Sequence, residues 1–90
     1  MRQVPPERLV KDVGRRIGEL RSDVGVTQAE LAEKIGVATR YVQSVEGGGE
    51  NLTLTTIAKF AIALGVPAAS FFERPARPKP RPGRPKKSTA

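Results

Sequence analysis

Cysteine and histidine are both absent from this 90-residue chain. Their absence removes disulfides, thiolate zinc sites, Ser-His and Cys-His nucleophile pairs and imidazole acid–base chemistry together. Carboxylates and lysines remain, but the common catalytic kits are missing, so the chain reads as a non-enzyme with no cofactor. Long apolar runs are lacking too. No stretch approaches the ~20 residues of a membrane span, and the N-terminus has no apolar signal-peptide segment. Arg15-Arg16 is a twin arginine without the apolar segment an export signal requires. These absences predict a soluble, cytoplasmic protein of a single small domain.

Acidic residues are nearly missing from one end. Residues 1–72 hold 9 Lys+Arg against 8 Asp+Glu, a net of +1, whereas residues 73–90 hold 7 basic residues against Glu73 alone, a net of +6. The overall +7 is therefore a property of the tail. A basic tail implies a polyanionic partner, and nucleic acid before membrane when no lipid-facing amphipathic helix adjoins it.

What is present is helical periodicity. After an arm at 1–6, Leu9, Val10, Val13, Ile17 and Leu20 recur at three- and four-residue steps, which predicts a helix from about Pro6 to Ser22. Gly14 and Gly18 within it either weaken it or permit close packing. Thr27 then opens a second helix with a Thr-x-x-Glu capping box to Glu30, and Val26 and Leu31 are spaced for a hydrophobic staple. Leu31, Ala32 and Ile35 form its inward face. Gly36 stands where a left-handed residue ends a helix. Val42 and Val45 carry another inward stripe to Glu46, followed by the flexible "GGGEN" loop. A further helix, about Thr53 to Leu64, has Leu54, Ile57, Ala58, Ala61 and Leu64 on one face, and Gly65 stops it. Pro67 starts a last short helix, with Phe71 and Phe72 closing the core.

Two short helices joined tightly through a glycine and braced on both sides describe a helix-turn-helix. Helices shorter than roughly 12–15 residues are marginal alone, so the pair must be stabilised by the scaffold. The motif spans 28–47 within a domain at 7–72. "IGELR", "VTQAELAEKIGV", "YVQSVEGG", "LTTIAKFAIALGV" and "FF" resemble the lambda-repressor/Cro-like helix-turn-helix family of bacteria and phages. The resemblance implies an all-α, compact five-helix DNA-binding domain and a transcriptional regulator, such as a repressor.

That resemblance also implies roles for particular residues. Gln28 would touch a phosphate at the positive N-terminus of its helix. Thr39, Arg40, Gln43 and Ser44 would meet base edges or flanking phosphates, where Arg forks onto guanine and Gln onto adenine. Tyr41 would contact a phosphate or pack on the preceding helix. Gly47 to Gly49 would offer backbone N–H groups to the sugar-phosphate strand. Arg21 would pair with Glu46, Ala32 would mark the helix crossing, Gly36 the turn, and Val42 and Val45 the core. Ala38 departs from the family's usual Ser or Thr cap, so Thr39 is a candidate cap instead.

The tail "ERPARPKPRPGRPKKSTA" holds five of the eight prolines and abandons periodicity, which predicts an extended, disordered segment. Its "KPRPGRPKK" resembles an AT-hook through Arg81, Gly83, Arg84, Pro85, Lys86 and Lys87, although Pro82 breaks the usual Arg-Gly-Arg core. Arginine is drawn to narrow minor grooves, where negative potential concentrates. Double-stranded DNA is the expected partner, bound as a homodimer on a palindromic operator because a two-turn helix reads few bases. A protein-interaction adaptor with the same fold and an architectural DNA protein dominated by its tail are the alternatives. No membrane partner and no small-molecule ligand are expected.

Overall fold

The computed structural model describes residues 4–76, and they are all-α. Four α-helices run in chain order: α1 Pro6–Asp23, α2 Gln28–Ile35, α3 Thr39–Glu46 and α4 Leu54–Leu64. A five-residue 3-10 helix, Ala68–Phe72, follows. The expected fifth α-helix is thus a correction. Pro67 sets its start, and so short a segment is satisfied by tighter i→i+3 bonds such as Ser70 N–H to the Pro67 carbonyl at 3.0 Å.

Each helix forms for identifiable reasons. Pro6 occupies the first position of α1, where its missing N–H costs nothing. The capping box of α2 is complete: Glu30 N–H donates to Thr27 Oγ1 at 3.0 Å, and Thr27 N–H to Glu30 Oε1 at 2.9 Å. Gly36 ends α2 at φ 86°, a left-handed conformation that glycine adopts without penalty. The N–H of Val37 then returns to the Ala32 carbonyl, and Val37 packs against the core. The same Gly-Val closure recurs at Gly25-Val26 and Gly65-Val66.

One core holds the helices together. Ile17, Leu31, Val42, Phe60 and Phe71 are fully buried, and Val45 and Ala32 nearly so. Burying side chains of this size stabilises by roughly 1.5–3 kcal/mol each. The α1–α3 crossing is tight because α1 presents glycines: a Cβ on Gly14 would overlap the backbone carbonyl of Val45, and one on Gly18 would crowd the Glu46 carboxylate. Arg16 fastens the chain's last described segment to α1. Its guanidinium donates to Glu19 (3.0 Å), to Glu73 (2.7 Å) and to the Ser70 carbonyl (2.9 Å).

Two packing expectations are corrected. Leu54 and Ala58 lie outside rather than inside, with Leu54 79% exposed, and the buried face of α4 is Ile57, Phe60, Ala61 and Leu64. Apolar residues cover more than half of this helix, with Thr55, Thr56 and Lys59 on the rest, and the bulk of Phe60 decides which part of that wide arc turns inward. Phe71 closes the core, but Phe72 is 51% exposed.

Candidate nucleic-acid interface

The candidate interface starts from α3, whose two faces differ completely. Val42 and Val45 are sealed against the core, while Arg40 and Gln43, one turn apart, are exposed. Neither side chain holds a hydrogen bond or ion pair among the described residues. Thr39 is half-buried at the first position of α3. Ala38 is the N-cap and supplies no side-chain bond, so Thr39 is not the cap, a correction. The start of α3 is left open.

Tyr41 and Ser44 turn partly toward the following loop. Burial pushes the Tyr41 phenol above its ordinary pKa, and the neighbouring Glu50 carboxylate adds to the rise. Ser44 Oγ donates to Glu50 Oε2 at 3.0 Å. The N–H groups of Gly47, Gly48 and Gly49 donate to the carbonyls of Gln43, Val45 and Ser44 at 3.0, 3.1 and 2.8 Å. Those donors, expected to face the sugar-phosphate strand, are therefore spent on closing α3.

A second group of contacts sets the angle of α3. Arg21 donates from Nε to Glu46 Oε2 at 2.6 Å and from Nη2 to Oε1 at 3.0 Å, and its Nη1 holds the Val26 carbonyl at 2.8 Å. Gln28 Nε2 donates to the same Glu46 Oε1 at 3.0 Å. One carboxylate thus joins α1, the first residue of α2 and the end of α3. Ala32, 2% exposed, belongs to the core between α2 and α3, and Gly36 makes the turn between them.

Arg81, Gly83, Arg84, Pro85, Lys86 and Lys87 lie outside the described residues. Three features escaped the sequence pattern: the Glu50 latch on Ser44, the clasp of Arg16, and burial of Glu19. Glu50 carries a weak signal, as the acid that directly follows the three glycines.

A two-helix corner with one open polar face is the geometry of a helix-turn-helix, and the helix-turn-helix family HTH_3 matches residues 17–71. The chain belongs to that family. It is a DNA-binding transcriptional regulator of the XRE kind. An uncharacterized HTH-type transcriptional regulator of Sinorhizobium fredii is 39% identical over 56 residues, 62% of this chain and 73% of the relative. The immunity repressor of Bacillus phage phi105 is 34% identical over 59 residues; the match takes in 66% of this chain but only 41% of the repressor. Among solved structures, the restriction-modification controller C.AhdI of Aeromonas hydrophila superposes with a TM-score of 0.70 at 35% identity, over 73% of this chain and 96% of the controller. The clp gene regulator ClgR of C. glutamicum also gives 0.70, at 31% identity, over 71% and 82%.

No helix among the described residues is long and apolar enough to cross a membrane.

Proposed function

We propose that this chain is a sequence-specific regulator that binds a two-fold-symmetric operator as a homodimer, through a folded unit at 7–72. Arg40 and Gln43 read base edges from α3, with Thr39 at its mouth. Gln28 takes a phosphate with the N–H of Gln28 Nε2 that Glu46 leaves unused. Tyr41 and Ser44 flank the groove, and exposed Gly47 permits close approach of the backbone. One observation carries this reading: two unengaged side chains, chemically matched to guanine and adenine, stand on a helix whose opposite face is completely buried.

The dimer is supported by an unpartnered stripe on α4, where Leu54 (79% exposed), Ala58 and Ile62 (80%) follow at four-residue steps. Monomeric proteins rarely leave such contiguous apolar surface open. The same stripe suits a protein adaptor, which is the second reading. The net +6 of residues 73–90 supports a further element, in which Arg81, Gly83, Arg84, Pro85, Lys86 and Lys87 reach a minor groove or the backbone of neighbouring DNA. Eighteen extended residues span about 55 Å at ~3.1 Å each, beyond one ~34 Å helical turn. Repression, by a protein working at the nucleoid in the cytoplasm, is the regulatory outcome proposed.

Selection of duplexes from a randomised pool by the full chain tests the reading. A two-fold-symmetric consensus supports it. Enrichment of no sequence, with helix-surface substitutions leaving DNA binding unchanged, favours the adaptor.

A further inference from the structure

Three of the four α-helices stop on a left-handed glycine followed by a part-buried valine that anchors the chain: Gly25-Val26, Gly36-Val37 and Gly65-Val66. After α3 the left-handed residue is Gly48, at φ 84°, and the next residue is Gly49, which has no side chain to bury. A polar contact takes the valine's place, Ser44 Oγ to Glu50 Oε2 at 3.0 Å. The fit is close, since a Cβ on Gly49 would stand 2.9 Å from Ser44 Oγ. A neutral acceptor would also close this latch, although more weakly, so the charge of Glu50 has an effect beyond holding Ser44.

We propose that Glu50 is an electrostatic counterweight beside α3, lowering the domain's affinity for DNA phosphate. The inference rests on the reading that α3 enters a groove. From residue 39 to 51 the charged groups are Arg40, Glu46 and Glu50, and Glu46 is matched by Arg21. Glu50 therefore cancels Arg40. The one other charged side chain shown against this loop is Lys11 of α1, whose stem packs on Gly48. An eight-residue helix is about 12 Å long, the width of the major groove at ~12 Å. A loop leaving its end lies beside a phosphate strand, within about the ~8 Å screening length of physiological salt. Glu50 Oε2 stands 3.0 Å from Ser44 Oγ, so its charge lies directly against α3.

The test uses the full chain and the duplex selected by the wild type, with binding measured across a salt series. Glu50→Gln keeps an acceptor for Ser44 and removes the charge. Its Kd should fall about two- to fivefold at low salt, and its plot of log K against log salt should steepen by up to about 0.9. Glu50→Asp keeps the charge and draws the carboxylate back from Ser44, so its salt slope should match wild type. If Glu50→Gln binds no tighter than wild type, or if Glu50→Asp tightens binding as much as Glu50→Gln, Glu50 is a loop brace and the proposal is overturned. Failure of the wild type to select any duplex is seen before either variant is made, and it overturns the DNA-reading proposal along with this one.

Discussion

α2 and α3 are both eight residues long, yet they are held in opposite ways. α2 carries its own ends: a complete capping box at Thr27 and Glu30, and a left-handed stop at Gly36. α3 has no side-chain cap at its start, and its stability comes from neighbours. Val42 and Val45 are buried by the core, the backbone at Val45 sits against Gly14, and Glu46 is gripped by Arg21 and Gln28. A helix that reads DNA benefits from the second arrangement. Its open face and first turn stay uncommitted, while its angle is fixed from behind.

This contrast is broken most severely at the α1–α3 crossing. Gly14→Ala should destabilise by about 3 kcal/mol or abolish folding, because the overlap is with backbone that no rotamer change relieves. A melting temperature close to wild type would show that α3 does not depend on this approach. Glu46→Ala comes next. It strands the Arg21 guanidinium, whose side chain is 17% exposed, and should cost about 2 kcal/mol in denaturant unfolding. Thr27→Ala removes only a cap and should cost about 1 kcal/mol. Ala38→Ser gives α3 the cap it lacks and should stabilise by about 0.5–1 kcal/mol. A loss of stability there would mean that the start of α3 is already satisfied by other groups.

The difference between the two helices also explains what could be read from sequence. α2 was legible from Thr27, Glu30 and Gly36, since caps are local chemistry. The Arg21–Glu46 tie spans 25 residues of sequence and was reachable only through the family resemblance. α4 offers Leu54, Ile57, Ala58, Phe60, Ala61 and Ile62 over a wide arc beside Thr55, Thr56 and Lys59, so periodicity alone does not choose which edge of the arc is buried and which becomes the exposed stripe. Hydrophobicity alone points Phe72 inward, whereas in the 3-10 turn Phe71 is the phenylalanine that faces the core and Phe72 is 51% exposed. The Ser44–Glu50 latch and the internal use of the Gly47–Gly49 donors depend on how the loop folds back on α3, which no spacing encodes.

The central claim is that the open face of α3 chooses bases. It is tested most directly by measuring the affinity of wild type, Arg40→Ala and Gln43→Ala for every single-base variant of the selected duplex. Each substitution should cost about 1–3 kcal/mol on the parent duplex and erase discrimination at particular positions only. Uniform weakening across all variants, with every preference retained, would contradict the claim and assign both side chains to phosphate.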